Sequence, residues 1–256
     1  RDNTARVWDL ATGRELHRLD NEKHDDVWAA AVLPDGVRAL VTDDDRVILR
    51  DLRTGGRLAE YVGEAKQAVF RLTLLPGGRR FVACGAKGGV RLWDITDAKV
   101  VREYAGFSQR VFAVAATPDG RLLAAGGDEK TIRVWETETG APVRTFTHDD
   151  DVYSLAVTPD GRRLVSCGDD NTVRAWSLES GEALWKAAFE DDVTVVAVSP
   201  DGRRIAAGVK GTLVLLDAGT GAVVRTIPTP DGTHWPVAFA PDGSTVWSGG
   251  PGQVCR

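Results

Sequence analysis

Apolar and polar residues alternate along this chain in runs of five or six, and each run is closed by residues that favour tight turns. The stretch from His148 to Ala187 shows the pattern most fully. In Val152-Tyr153-Ser154-Leu155-Ala156-Val157 the apolar side chains fall as on a strand with one buried face. Pro159-Asp160-Gly161 then supplies a fixed φ, an Asx-type side chain and a residue free to take positive φ, which predicts a reversal. Arg163-Leu164-Val165-Ser166 reads as a returning strand, Asp169-Asp170-Asn171 as a second turn, and Thr172-Val173-Arg174-Ala175-Trp176 as a third strand. After Glu179-Ser180-Gly181 a fourth strand runs from Glu182 to Ala187, so the unit is a four-stranded antiparallel meander.

The unit recurs. Pro-Asp-Gly or its variant falls at Pro34, Pro76, Pro118, Pro159, Pro200 and Pro241, at intervals of 42, 42, 41, 41 and 41 residues. The end of the third strand keeps step as Trp8-Asp9, Arg50-Asp51, Trp93-Asp94, Trp135-Glu136, Trp176-Ser177 and Leu216-Asp217. A Thr-Gly or Ser-Gly turn follows most of these, and Thr96-Asp97-Ala98 alone lacks the glycine. Such phasing over the whole length indicates tandem copies of one supersecondary unit, each burying its faces against its neighbours.

These residues resemble the WD-repeat β-propeller family, whose period of about 40–45 residues and closing Trp-Asp dipeptide they match. The resemblance implies an all-β fold of four-stranded antiparallel blades. It also implies a hydrogen-bonded tetrad inside each blade, and His148, Ser166, Asp170 and Trp176 fill its four places. Elsewhere the set is eroded, with Ala65, Phe107 and Phe189 where His would stand and Lys87 and Lys210 where Asp would. The expected organisation is one propeller segment over residues 1–256, with repeats at about 1–20 (partial), 27–62, 68–104, 111–146, 152–188, 193–227 and 234–256 (partial). That makes five complete blades and two partial ones. Third-strand sequence at both ends, and the lack of any Met, point to a segment of a longer polypeptide. A seven-bladed parent is preferred, and a six-bladed closure is the alternative.

Composition narrows the function. The 43% hydrophobic and 27% charged residues are ordinary for a globular protein, and no apolar run approaches the roughly 18 residues of a membrane helix. Three cysteines, Cys84, Cys167 and Cys255, are too few for a disulfide framework and favour a reducing, cytoplasmic setting. The histidines lack metal-ligand spacing, and Asp43-Asp44-Asp45 and Asp149-Asp150-Asp151 lack the pattern of a calcium loop, so neither a metal site nor a cofactor is expected. Ser166, His148 and Asp170 contain the residue types of a hydrolytic triad, but their places fit the family's buried network instead. No catalytic residues are assigned.

In the family, the connections between strands four and one and between strands two and three open on one face, called the top. Sorting charges by that rule collects 19 acidic and 7 basic residues there, a balance of −12 in a chain whose net charge is −5. Aromatics recur six positions before the turn proline, as Trp28, Phe70, Phe112, Tyr153 and Trp235, with Thr194 the exception. Two positions earlier stand Asp26, Arg110, Asp151 and Asp192. Peptide-binding members of the family use these two positions. The expectation is a non-catalytic scaffold that binds a basic peptide or protein through an acidic, aromatic-bearing top face, with no role for nucleic acid or membrane. The alternatives are an enzymatic propeller with a hydrolase or lyase site in its channel, and a purely structural or oligomerising module. A composition rich in Ala, Arg, Gly, Val and Asp suggests a high-GC bacterial genome. Similar bacterial propellers are often joined to protein kinases or other signalling domains.

Overall fold

A computed structural model describes residues 4–9, 11–20, 27–63, 67–229, 236–250 and 253–255, the last group and residues 20 and 250 by their backbone alone. Contacts divide the chain into two compact units, Arg1–Val111 and Phe112–Arg256.

In the first unit β1 (Thr4–Trp8) and β2 (Glu15–Asp20) form a two-stranded sheet. β3 (Ala30–Val32), β4 (Arg38–Asp43), β5 (Arg46–Asp51) and β6 (Arg57–Val62) form a four-stranded sheet in chain order. β7 (Val69–Leu74), β8 (Arg80–Gly85), β9 (Val90–Asp94) and β10 (Lys99–Glu103) form another, with a 3-10 turn at Ala86–Gly88. Leu33, Leu40, Val47, Leu49 and Tyr61 of the first four-stranded sheet and Leu72, Phe81 and Trp93 of the second make one core cluster, so the apolar faces are buried between sheets.

The second unit repeats the plan. Its four-stranded sheets are β11 (Val111–Ala116), β12 (Leu122–Gly127), β13 (Thr131–Glu136) and β14 (Pro142–Thr147); β15 (Val152–Val157), β16 (Arg163–Gly168), β17 (Thr172–Ser177) and β18 (Ala183–Ala188); and β19 (Val193–Val198), β20 (Arg204–Val209), β21 (Thr212–Asp217) and β22 (Val223–Pro228). β23 (Val237–Phe239), β24 (Val246–Gly250) and β25 (Gln253–Cys255) make a three-stranded sheet. Here too, Ile132, Val134 and Phe146 of one sheet pack on Val152, Leu164 and Trp176 of the next. The fold is all-β, with the meander sheets of a β-propeller as its blades: among the described residues five have four strands, preceded in sequence by one of two and followed by one of three.

Aspartate side chains hold the turns together. In Pro159-Asp160-Gly161 the Asp160 Oδ1 accepts Arg162 N–H at 3.0 Å and Thr158 Oγ1–H at 2.5 Å, while Gly161 takes φ 70°. At the other turn type Asp217 Oδ1 accepts the N–H groups of Gly219 and Thr220, both at 3.0 Å. Asp9, Asp51 and Asp94 act in the same way. The recurring acid after the third strand is thus an Asx-type turn cap.

Neighbouring sheets are also joined by hydrogen bonds from a fourth-strand side chain to a carbonyl just past the next sheet's third strand. Tyr61 Oη donates to Ile95 O at 2.7 Å, Arg144 Nε to Leu178 O at 3.0 Å, and Trp185 Nε1 to Ala218 O at 3.1 Å. Burial pushes the Tyr61 phenol up to about 12.

Candidate functional site

The His148 constellation is a closed network. His148 Nε2 lies 2.7 Å from Ser166 Oγ, His148 Nδ1 lies 3.0 Å from Asp170 Oδ2, and Trp176 Nε1 donates to Ser166 Oγ at 2.8 Å. An indole N–H can only donate, so the serine's own proton is free for Nε2, and Nδ1–H then donates to Asp170. Asp170 also accepts from Thr172 Oγ1 at 2.7 Å, Asp149 N at 3.1 Å and Arg174 at 2.6 Å. Burial alone pushes the Asp170 carboxyl up, but hydrogen bonds from His148 and Thr172 outweigh it and hold the group well below the usual carboxylate range. Ser166 is 0% exposed and His148 2%, so the hydroxyl that a triad chemistry needs meets no solvent. The arrangement ties β16, β17 and the segment entering β15 into one blade.

Around it the acidic connections of the second unit converge. Of the Asp149-Asp150-Asp151 run, two members have partners of their own. Asp149 pairs with Lys186 at 3.0 Å and with Arg174, and Asp150 pairs with Lys130 at 2.8 Å. Both carboxyls are held below their usual range, by Lys186 foremost at Asp149 and by Lys130 at Asp150. Asp151 has the opposite environment. Burial, then the charges of Asp128, Asp150 and Asp169, push it up, with Lys130 opposing. Asp192 is likewise raised by burial and by Asp169 beside it, with Lys210 opposing. The Tyr153 phenol, raised by burial and next by the Asp169 carboxylate, hydrogen-bonds Asp169. Asp151, Asp169 and Asp192 therefore lie around one tyrosine, with Asp128 beside Asp151.

The aromatic position has a backbone cause absent from the sequence reading. The β15–β16 register passes from Val152↔Gly168 to Ser154↔Cys167 and skips Tyr153. The β7–β8 register skips Phe70, and the β19–β20 register skips Thr194. Each is a β-bulge, which takes its residue out of alternation and re-aims its side chain. A glycine on the second strand makes room: a Cβ on Gly168 would lie 1.9 Å from Asp151 O, and one on Gly85 1.8 Å from Ala68 O. The signal was in plain view, as a Cys-Gly pair ending both second strands.

The in-phase aromatics touch in pairs within each unit. Trp28 and Phe70 meet edge to face at 5.7 Å, and Phe112 and Tyr153 do so at 5.9 Å. Trp28 lies ahead of β3 rather than on it and is 41% exposed. Trp235, Asp26 and Ala65 lie outside the described residues. Arg110 is exposed, in the connection entering β11. One correction concerns charge. Asp43 and Asp45, counted with the acidic rim from their turn, are 4% and 8% exposed and pair instead with Arg46, which also contacts Glu60 at 2.6 Å. Asp170 is withdrawn from the rim too, by the network above. Among the described residues no cluster of three or more His, Cys, Asp or Glu has the geometry to hold a metal ion. Among them, too, no helix is long and apolar enough to cross a membrane.

Phased four-stranded blades, capped by aspartate turns and in one case bound internally by a His-Ser-Asp-Trp set, define a repeat protein of the propeller class. A family model described as WD domain, G-beta repeat, matches residues 55–94, 98–136 and 140–177. Each matched stretch runs from the fourth strand of one sheet through the third strand of the next, so sequence repeat and blade are offset by one strand. Over residues 55–177 the chain carries consecutive repeats of the WD-repeat family. WD repeats in general are interaction scaffolds for proteins and are typically non-enzymatic. A comparison with curated proteins finds no match.

Proposed function

We propose that the chain is a non-catalytic platform that captures a basic peptide or protein surface through its acidic, aromatic-bearing edge. The observation that carries this reading is the gathering of Asp151, Asp169 and Asp192 around Tyr153, with Asp128 beside Asp151, where the Asp151 and Asp192 carboxyls are raised by burial and by neighbouring aspartates. Like charges held together at a partly buried place are relieved when a cation arrives, and a lysine or arginine side chain brings one. Half-buried Tyr153 and Phe112 supply rigid apolar contact beside it. In the first unit Trp28 and Phe70 serve the same role, and Trp235 and Asp26 occupy the corresponding repeat positions. Arg110 would answer an acidic side chain in the partner. The cytoplasm is the setting proposed for this activity, with the segment joined to a signalling domain such as a kinase.

The test is capture from a displayed library of Lys- and Arg-rich peptides by the native chain and by Asp151→Lys and Asp192→Lys variants. Weakening of roughly tenfold or more per reversal, with a shallower salt dependence, is expected. Capture that is equally tight and equally salt-sensitive in variants that keep the native circular dichroism would refute the electrostatic reading.

A further inference from the structure

The β7–β10 sheet is the blade in which the buried network has been taken apart. Ala83 stands ten residues before Trp93, as Ser166 stands before Trp176, and Lys87 stands at the place of Asp170. The Trp93 indole N–H thus has no hydroxyl at the position where its counterpart finds one. Next to it lies a cavity of about 20 Å³, wide enough for one water-sized molecule and lined by Asp45, Tyr61, Gln67, Cys84, Arg91 and Trp93 among others.

Two atoms of residues on that wall are buried acceptors without a hydrogen-bond partner among the described residues, Asp45 Oδ1 and Gln67 Oε1. The Asp45 side chain is only 10% exposed, and its contact with Arg46 Nε at 3.4 Å is an ion pair without hydrogen-bond geometry. Two other polar atoms around the cavity are engaged elsewhere: Tyr61 Oη donates to Ile95 O, and Arg91 Nε to Glu103 Oε1 at 2.5 Å. Burial pushes the Cys84 thiol up to about 12.

We propose that this cavity is a structural water site. A single water donates to Asp45 Oδ1 and Gln67 Oε1 and accepts from Trp93 Nε1, so it takes over part of the work of the lost serine and links two neighbouring sheets. The donor and acceptor count selects the ligand. An ammonium group can donate to both oxygens but cannot accept from the indole, an anion is repelled by Asp45, and an apolar guest leaves both acceptors unsatisfied.

Two measurements on the full chain test this: a crystal structure at about 1.5 Å, and water-to-protein cross-relaxation at the Trp93 indole proton. Expected are a density peak within hydrogen-bond distance of both oxygens and a cross-peak at Trp93 Hε1 that disappears in Ala83→Ser, where a hydroxyl is restored to the indole. The proposal is overturned by a Gln67 amide turned to donate directly to Asp45, by the absence of density or of the cross-peak in the native chain, or by a cross-peak that survives unchanged in Ala83→Ser.

Discussion

Ser166 decides the fate of two other buried groups, because its oxygen accepts from Trp176 and its proton serves His148. Ser166→Ala removes both partners at once and leaves an indole N–H and a ring nitrogen in a dry interior. A buried polar group without a partner costs about 1–3 kcal/mol, so the variant is expected to lose roughly 2–5 kcal/mol in urea unfolding. A loss under about 0.5 kcal/mol would mean that the network contributes no net stability. Arg46 has a comparable position in the first unit, where its side chain, 14% exposed, is the counter-charge of Asp43, Asp45 and Glu60. Its interaction with Glu60 and the two aspartates raises its affinity for the proton against the opposing effect of burial. Arg46→Met strands two buried carboxylates, and breaking a buried pair in this way costs about 3–5 kcal/mol. Chemical denaturation of Arg46→Met beside Asp43→Asn/Asp45→Asn/Arg46→Met checks it, since removing the carboxylates along with the arginine should recover much of the loss.

At the scale of strands, the glycines that end β8 and β16 are as necessary as the apolar alternation. Gly168 sits under the Asp151 carbonyl, and the same carbonyl accepts Asp169 N–H at 3.0 Å, so backbone occupies the space that a side chain would need. Gly168→Ala must open the bulge, displacing Tyr153 and Asp151 together. The expected outcome is a destabilisation of about 1–3 kcal/mol in urea, accompanied by a changed near-ultraviolet dichroism from Tyr153. An alanine variant of native stability and spectrum would show that the bulge tolerates a methyl group. This glycine also marks the limit of what the sequence discloses. The meanders are legible because period-two patterning and Pro-Asp-Gly turns are local signals, and β15 to β18 fall where alternation and turn chemistry place them. The network of His148, Ser166, Asp170 and Trp176 is legible only through the resemblance, since nothing in their spacing says that they meet. Bulges, and ion pairs such as Lys186 with Asp149, depend on register and on strand neighbours distant in sequence, which composition and periodicity do not encode. Counting Asp43 and Asp45 as surface charge failed for the same reason, because a turn residue can still point beneath an arginine.

Over the molecule as a whole, the aspartates set the response to pH, and they do so in two opposed groups. Among the described residues twelve have carboxyls held below the ordinary 3.8 by turn N–H groups, hydroxyls or bases: Asp9, Asp35, Asp51, Asp94, Asp119, Asp149, Asp150, Asp160, Asp170, Asp201, Asp217 and Asp242. Below 3.8 the unfolded chain takes up protons at these sites before the native one does, so their stabilisation is present above that value and lost as pH falls through the lowered range. Asp151 and Asp192 act in the other direction. Their native carboxyls bind protons more readily than the unfolded ones, so between 3.8 and their raised values stability falls as pH rises, and the penalty persists at neutral pH. Thermal unfolding followed by circular dichroism should therefore show a steep loss of stability on acidification below about pH 4, with a shallow gain just above it. Asp151→Asn/Asp192→Asn should remove that shallow gain and raise the melting temperature at pH 7 by about 1–2 °C, because it deletes repulsion without deleting a turn cap. A lower melting temperature at pH 7 would show instead that the two carboxylates hold the native chain together, and a charge that is already satisfied has little reason to attract a partner's lysine.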